Sequence, residues 1–266
     1  MNWKDKVVLV TGASSGLGRV IAEEFGKRSA KLALVGLESN DIQKVALELK
    51  SKEIDVLPIV ADITQDSEVD RLVNDTVNHF GKLNVLVNSA GRTHRGKIQE
   101  TSIDDFRAIF ELNALGTIRC SQKAIPFLLK ERGHIINIGS LASKSASRWV
   151  GAYPVSKFAV AAFSQQLRLE LGKEGLHVLL VCPGPVKREN PRLYQLPNAE
   201  GIPESALLPG GGVKVHKIDP VWLAQKIIQY CEKRKPELIV PGKAKILFAI
   251  SQLFPSLGDW IVLKKT

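Results

Sequence analysis

The sequence predicts an α/β fold, a doubly wound parallel sheet of about seven strands within a single domain spanning residues 1–266. Short β-branched runs alternate with longer amphipathic stretches, which is the pattern of repeated βα units. A glycine-rich turn joins the first run to the first amphipathic stretch. The 266 residues, 44% of them apolar, suffice for one substantial hydrophobic core.

Seven runs are the predicted strands: Val7–Val10, Lys31–Gly36, Asp55–Val60, Asn84–Asn88, His134–Gly139, His177–Val181 and Glu237–Val240. Buried parallel strands read as continuous apolar runs, and Ile135–Ile138 does so except at Asn137. The stretches between the strands follow the helical period, at 16–28, 40–52, 65–79, 104–131, 150–173 and 219–232. Ligands of such sheets bind at the carboxyl ends of the strands, where the strand order reverses.

Residues 187–217 break this alternation. They contain four prolines and the run Gly210-Gly211-Gly212, without a clear period. A long irregular segment inside a compact domain is usually functional or disordered. We interpret it as a lid over the substrate site, and a disordered surface excursion is the alternative.

The last residues, 244–266, are strongly apolar. Positions 246, 250, 253, 254 and 257 follow one helical face, and lysines 243, 245, 264 and 265 flank it. Pro255, Gly258 and Asp259 argue against a membrane-spanning helix. The pattern predicts either an interfacial membrane anchor or a face packed on another subunit or across the substrate entrance.

Composition narrows the partners. A net charge of +10 can attract nucleic acid, anionic lipid, an acidic carrier protein or a phosphorylated cofactor. The short basic groups lack interleaved aromatic residues, so nucleic acid is not expected. Three cysteines and five histidines show no paired or ligand-like spacing, so neither a disulfide framework nor a metal is expected. The first strand begins almost at residue 1, leaving no room for a signal peptide, and a cytoplasmic location is expected.

The segment from Gly12 to Gly18 carries a nucleotide-binding signal. It directly follows the first predicted strand and directly precedes a helix, which is the context that such glycine motifs require. Its three glycines let the backbone approach a pyrophosphate, whose charge the free N–H groups and dipole of the helix start stabilise.

Tyr153 and Lys157 lie four positions apart and therefore share one helix face. A phenol titrates near pH ~10, but a neighbouring ammonium favours its ionised form and makes it a usable acid at neutral pH. Ser140, at the end of the fifth strand, can donate a hydrogen bond to a substrate oxygen and stabilise developing charge.

The spacing Gly12-x-x-x-Gly16-x-Gly18 resembles the short-chain dehydrogenase/reductase family. Further motif positions of the family match in order over nearly the whole chain: Asp62, Asn88-Ser89-Ala90-Gly91, Asn113, Ser140, Tyr153, Lys157 and Pro183-Gly184. The resemblance implies a Rossmann-like fold and an NAD(P)-dependent hydride transfer between a carbonyl and a secondary alcohol. It also implies a homodimer or homotetramer.

The resemblance further implies the site residues. Tyr153 donates the proton, Lys157 lowers the pKa of the phenol and bonds the nicotinamide ribose, Ser140 holds the substrate oxygen, and Asn113 holds a water that continues the relay. The residues expected at the cofactor are Gly12, Ser14, Ser15, Gly16, Leu17, Gly18, Leu37, Asp62, Ile63, Asn88, Ala90, Gly91, Tyr153, Lys157, Pro183, Gly184 and Val186. Among them, Asp62 and Ile63 are expected to contact the adenine, Asn88, Ala90 and Gly91 to border the adenosine ribose, and Val186 to meet the nicotinamide carboxamide.

The end of the second strand normally distinguishes NAD from NADP, through an acid for the ribose 2′-OH or a base for a 2′-phosphate. Here Gly36 and Leu37 occupy those places, and serines 14, 15 and 39 could donate hydrogen bonds to a phosphate. Glu38 is close and no arginine is positioned to clamp the phosphate. NADP is favoured, with NAD as the alternative.

Pro154 departs from the family, which usually has a small residue with a backbone N–H after the tyrosine. Proline is tolerated only in the first turn of a helix. This helix is therefore predicted to begin at about Val150–Tyr153.

The expected substrate is a lipophilic carbonyl or alcohol, such as a sterol, retinoid, acyl chain or sphingoid ketone. This rests on the apolar tail and on Leu141, Trp149, Leu193, Tyr194, Leu207 and Leu208. A 3-oxoacyl carrier-protein reductase competes with it, because a basic surface could dock an acidic carrier. Two readings from different classes stay open: a non-catalytic nucleotide-binding sensor or scaffold, and a peripheral membrane protein whose tail is its main function.

Overall fold

A computed structural model describes residues 2–188, 201–208 and 216–265 of the chain. Its strands are β1 (Val7–Thr11), β2 (Lys31–Gly36), β3 (Val56–Val60), β4 (Val85–Asn88), β5 (His134–Ile138), β6 (His177–Pro183) and β7 (Glu237–Val240). They pair in parallel in the order β3-β2-β1-β4-β5-β6-β7. The described residues therefore contain the seven-stranded parallel sheet that the sequence predicted.

The helices are α1 (Gly16–Gly26), α2 (Ser39–Lys50), α3 (Asp66–Phe80), α4 (Ile103–Phe110), α5 (Gly116–Lys130), α6 (Tyr153–Leu171), α7 (Pro220–Glu232), α8 (Ala244–Leu253) and α9 (Pro255–Lys265). Helices α1, α2 and α7 bury apolar residues on one face of the sheet, and α3, α5 and α6 do so on the other. In β1, Val8 and Val10 face the first group while Val7 and Leu9 face the second. Both faces are covered, which is why the strands read as continuous apolar runs.

The strand order reverses beside β1. The chain passes from β1 outward to β2 and β3, then returns to place β4 on the other side of β1. The connections therefore diverge at the carboxyl ends of β1 and β4, which is where open sheets of this Rossmann-like kind bind ligands. Gly12 follows β1 there, and Ser89 to Gly91 follow β4.

One predicted helix is interrupted. The pattern at 104–131 indicated a continuous helix, but a π-helical turn, Glu111–Leu115, separates α4 from α5. The backbone on both sides of this turn stays right-handed helical, with φ −69° and ψ −42° at Phe110 and φ −58° and ψ −41° at Gly116, so the stretch resembles one helix in the sequence. Such turns occur frequently at functional sites, and Asn113 lies in the middle of this one.

Two predictions concern the later part of the chain. Much of the predicted lid, 187–217, falls at 189–200 and 209–215, outside the described residues, as do Leu193 and Tyr194. Its base is described: Val186 pairs with Ile218, and the Lys187 N–H donates to the Ile218 carbonyl at 2.8 Å. Residues 244–265 form α8 and α9, and none of the described helices is both long enough and apolar enough to cross a bilayer.

Candidate active site

Helix α6 begins at Tyr153, as predicted, because the preceding backbone cannot continue it. Gly151 has φ +46° and Ala152 is the N-cap, while the Tyr153 N–H bonds the Val150 carbonyl at 3.1 Å. Pro154 therefore lies in the first turn, where a backbone N–H has no intrahelical acceptor in any case. The proline leaves the helical face shared by Tyr153 and Lys157 intact.

The loop before α6 is held by the loop after β4. The Gly96 N–H donates to the Trp149 carbonyl at 3.1 Å, and the Gly151 N–H donates to the Gly96 carbonyl at 3.2 Å. His94 Nδ1 accepts from the Ala152 N–H at 3.4 Å. Burial lowers the pKa of His94, which favours the neutral ring that can accept this bond. No spacing in the sequence pointed to this histidine.

Lys157 is buried at the carboxyl edge of the sheet. Its side chain is 6% exposed, and its ammonium donates to the Ile138 carbonyl at 2.8 Å. The same nitrogen lies 5.8 Å from the centre of the Tyr153 ring. Burial lowers the pKa of Lys157 to about 8, because the charged form loses its hydration. The amine is thus fixed near the phenol and can titrate near neutral pH.

Asn113 links the loop after β4 to α6. Its Oδ1 accepts from the Arg92 N–H at 2.9 Å, and its Nδ2 donates to the Arg92 carbonyl at 2.9 Å and to Ser156 Oγ at 3.0 Å. The predicted role of Asn113 in holding a water stays a prediction. A Cβ on Gly91 would lie 2.9 Å from Asn113 Oδ1 and 3.7 Å from Lys157 Nζ. The three residues thus converge, and only a glycine leaves room between them.

Ser140 lies directly after β5 and starts a short 3-10 turn, Leu141–Ser143. Its Oγ accepts from the Ala142 N–H at 3.1 Å, and Ser143 Oγ accepts from the Ser140 N–H at 3.1 Å. These two bonds fix the serine in position. Among the described residues the Ser140 hydroxyl acts as an acceptor, which leaves its own proton able to donate to a substrate oxygen.

Asparagines in the central strands form a buried network beneath the site. Asn88 Nδ2 donates to Asn137 Oδ1 at 2.8 Å and to Ser121 Oγ at 3.0 Å. Asn137 Nδ2 donates to Ser164 Oγ at 2.9 Å. Asn88 and Asn137 together therefore tie β4 and β5 to α5 and α6, and a contact of Asn88 with an adenosine ribose stays a prediction.

Each of the three glycines of the first turn is needed for a different reason. A Cβ on Gly12 would lie 2.8 Å from Ala90 Cα, and one on Gly18 would overlap the Gly12 carbonyl. Gly16 has φ +58° with open space around it. Thr11 Oγ1 accepts from the Ala90 N–H at 3.2 Å and so fixes the opposite wall, a contact that the sequence did not suggest.

The start of α1 offers an open positive dipole. Ser15 is the N-cap, but within the described chain its hydroxyl does not cap the helix, and the first turn contains no acidic residue. The free N–H groups of this turn therefore suit an anionic ligand. Together with the narrow glycine cradle, this fits the pyrophosphate of a dinucleotide.

At the ends of β2 and β3, the predicted adenine side is partly packed. A Cβ on Gly36 would lie 3.1 Å from Ile42 Cβ, whereas Leu37 is 61% exposed. Asp62 Oδ1 accepts from the Thr64 N–H at 2.9 Å and so orders the turn before α3. The side chain of Ile63 is buried, which leaves its backbone for any adenine contact.

The predicted nicotinamide side lies between β6 and β7. Pro183 ends β6, and the Gly184 N–H donates to the Val240 carbonyl at 2.7 Å. A Cβ on Gly184 would lie 3.4 Å from Leu141 Cδ1, so this turn adjoins the residue after Ser140. Val186 packs partly into the core.

A second polar cluster lies at the opposite edge of the sheet. His134, His177 and Cys231 place three atoms of kinds that bind metals within 4.8 Å of one another. The two rings hydrogen-bond through their Nδ1 atoms at 2.9 Å, and His177 Nε2 contacts the Lys235 carbonyl at 2.9 Å. Spacing in the sequence did not indicate this cluster, because its members come from three separate elements.

Comparisons with known proteins agree with this geometry. Residues 6–193 match the family model described as short chain dehydrogenase. Uncharacterized oxidoreductases of Staphylococcus epidermidis and Staphylococcus aureus are similar in sequence. The first is 33% identical over 184 residues, covering 69% of this chain and 79% of the relative. The second is 36% identical over 183 residues, covering 68% and 78%.

Solved structures show the same fold. A short-chain dehydrogenase from Streptomyces avermitilis superposes with a TM-score of 0.82 at 27% identity, covering 97% of both chains. A short chain dehydrogenase/reductase from Burkholderia phymatum, solved in complex with NAD, superposes with a TM-score of 0.87 at 22% identity, covering 97% of this chain and 96% of that one.

Proposed function

This chain belongs to the short chain dehydrogenase family, and from that premise we propose that it transfers a hydride between a nicotinamide cofactor and a carbonyl or secondary alcohol. The observation that carries the proposal is the position of Lys157. Its buried ammonium, 5.8 Å from the ring centre of Tyr153 and bonded to the Ile138 carbonyl, supplies a fixed positive charge next to a phenol. That arrangement suits an acid–base catalyst.

In the proposed mechanism, Tyr153 holds the proton that the carbonyl oxygen receives during reduction. Lys157 stabilises the phenolate that remains, because an adjacent positive charge favours the ionised form. Ser140 orients the substrate oxygen with its hydroxyl proton. Asn113 keeps the loop after β4 in register with α6 through Arg92 and Ser156, and it is proposed to hold the water that returns a proton to Lys157.

The residues of the first turn fit the expected cofactor. No side chain fits at Gly12 or Gly18, so the backbone there stays open to a close-lying ligand. The start of α1, which no side chain caps, favours an anion. A bound nicotinamide would supply or accept the hydride. We propose NADP, with NAD as the alternative. The residue at the end of β2 is Gly36, which packs on Ile42, so no carboxylate at that position repels a 2′-phosphate.

A lipophilic substrate is the proposed class. Leu141, directly after Ser140, packs against the buried cluster that contains Phe248 of α8, so the apolar tail shares a cluster with the residue next to Ser140. The described part of the predicted lid lies against the loop after β4: Ile202 and Ala206 are buried, and Arg95 donates to the Leu208 carbonyl at 3.3 Å. We also propose a cytoplasmic homodimer or homotetramer, to be checked by light scattering.

The test begins with paired titrations of NADPH and NADH, followed by a screen of sterol, retinoid, acyl and sphingoid ketones with the cofactor that binds better. Tyr153→Phe is the diagnostic variant. It should retain cofactor affinity and lose turnover by ~10²–10⁴, which is the usual contribution of a positioned acid.

Three outcomes would contradict parts of this proposal. Unchanged turnover in Tyr153→Phe would remove the phenol from the mechanism. Cofactor binding without turnover of any ketone would indicate a nucleotide-binding sensor. Turnover restricted to acyl chains on a carrier protein would indicate the 3-oxoacyl carrier-protein reductase instead.

A further inference from the structure

Helices α8 and α9 form a hairpin, residues 243–265, that concentrates exposed apolar side chains. Of the seventeen large apolar side chains that are exposed among the described residues, six lie in it: Ile246, Leu253, Phe254, Leu257, Trp260 and Leu263. The remainder are spread over the rest of the fold, such as Leu47 on α2. Scattered apolar residues are normal on a protein surface, whereas a concentrated patch marks an interaction site.

The hairpin is attached to the domain by a narrow contact. Phe248 is 8% exposed and packs with Leu180, Cys182 and Ile239. Helix α9 rests on α8, where Gly258 lies directly against Ser251. Leu253, Phe254 and Leu257, which surround the turn between the helices, are 73%, 62% and 47% exposed. The turn therefore carries an apolar tip that the described domain does not cover.

The charge of the hairpin distinguishes between two kinds of partner. Segment 243–265 carries four lysines and a single acid, Asp259, in a chain of net charge +10. Lys243, Lys245 and Lys264 are exposed, and Lys264 Nζ lies 3.9 Å from the centre of the Trp260 ring. A second copy of this chain would bring like charges together, and an anionic partner would neutralise them.

We propose that the hairpin docks on the surface of an anionic lipid bilayer. Surface segments that combine lysines with exposed Trp, Phe and Leu bind in the headgroup region, where the apolar side chains are buried and the cations meet lipid phosphates. The tip formed by Leu253, Phe254 and Leu257 would enter the headgroups, with Trp260 at the level that tryptophan prefers in membranes.

Co-sedimentation of the full chain with vesicles tests this directly and does not depend on enzymatic activity. Vesicles of phosphatidylcholine mixed with phosphatidylserine should bind the protein, pure phosphatidylcholine vesicles should bind it more weakly, and salt should release it. Leu253→Ser/Phe254→Ser should weaken binding by about tenfold or more, since each buried apolar side chain contributes strongly. Lys243→Gln/Lys245→Gln should weaken it by about fivefold per lysine.

Matched controls come from the opposite side of the sheet. Leu47→Ser removes a leucine that is 67% exposed, against 73% for Leu253, and Lys44→Gln/Lys52→Gln removes two exposed lysines. Neither control should change binding. The proposal is overturned by three results: no binding to the anionic vesicles, binding that survives the tip variant, or a tip variant that instead lowers the molar mass in solution, which would identify a second copy as the partner. Circular dichroism confirms that each variant is folded.

Discussion

The ammonium of Lys157 donates a hydrogen bond to the main-chain carbonyl oxygen of Ile138 at 2.8 Å. This bond joins α6 to the last residue of β5, two positions before Ser140. The side chain is 6% exposed, so the carbonyl replaces only part of the hydration that the charge has lost. For this reason the pKa falls to about 8 while the amine stays fixed.

Lys157→Met should separate catalysis from folding. Methionine fills a similar volume and removes the cost of burying a charge, although it leaves the Ile138 carbonyl without its donor. Turnover should fall by ~10²–10⁴, whereas the free energy of unfolding in urea should change by less than ~2 kcal/mol. Lys173→Met, at an exposed position, is the control. A parallel loss of stability and turnover would make Lys157 a structural residue only.

Lys157 should also give activity and stability opposite pH dependences. Its folded pKa, about 8, is below the ordinary lysine value of 10.5, so between these values the unfolded chain binds more protons than the folded one. The free energy of unfolding should therefore rise with pH across this window. Turnover that needs the ammonium should fall as pH rises through about 8. The difference between the wild type and Lys157→Met isolates both effects, and parallel profiles in the two proteins would contradict the assignment.

Gly16→Ala should weaken cofactor binding, and its cost in folding free energy should be no larger than that of the same substitution at a remote glycine. Gly16 has φ +58° and Gly81, at the end of α3, has φ +79°, and a Cβ at either meets nothing within 4 Å. Both alanine variants should cost ~1 kcal/mol of backbone strain in urea unfolding. Only Gly16→Ala should raise the dissociation constant of NADPH or NADH, because its Cβ projects where the pyrophosphate is expected. Equal affinities in the two variants would remove the first turn from the cofactor site.

Periodicity and local motifs predicted most of the fold. Each strand predicted from an apolar run was found, with its ends shifted by at most two residues, and the glycine turn lies between β1 and α1 as expected. Pro154 alone located the start of α6 correctly, because a proline has few places in a helix. These features are encoded by neighbours in sequence.

What the sequence missed depends on contacts between distant segments. Nothing local indicates that Asn113 interrupts a helix, that Thr11 receives the Ala90 N–H, or that His94 reaches Ala152. The same holds for the pairing of His134 with His177, which lie on adjacent strands. Such contacts are set by strand register and packing, and single-sequence patterns do not record them.

Asn137→Ala should destabilise the fold strongly. Asn137 accepts from Asn88 and donates to Ser164 at 2.8 and 2.9 Å, and it is fully buried. The substitution leaves buried partners unsatisfied, and each costs ~1–3 kcal/mol. Urea unfolding should show a loss of ~2–4 kcal/mol, whereas Asn74→Ala, exposed on α3, should stay within ~0.5 kcal/mol. A small effect at Asn137 would mean that water replaces the network.

The buried histidine pair should make the fold sensitive to acid. Burial lowers the pKa of His134 to about 3 and that of His177 to about 4, from 6.5. Between pH 6.5 and about 4, the unfolded chain therefore binds protons that the folded chain does not. The contribution of this pair to the free energy of unfolding is fully present above pH 6.5 and is lost as the pH falls through this window.

His134→Leu tests this through a slope, which remains informative even if the variant is less stable at every pH. Removing one ring that stays neutral in the folded state should reduce the pH dependence of the free energy of unfolding by about 1.4 kcal/mol per pH unit well below pH 6.5. His79→Gln, at an exposed position near the end of α3, is the control variant. An unchanged slope in His134→Leu would contradict this prediction, because it would mean that burial of the His134 ring does not contribute to the response to acid.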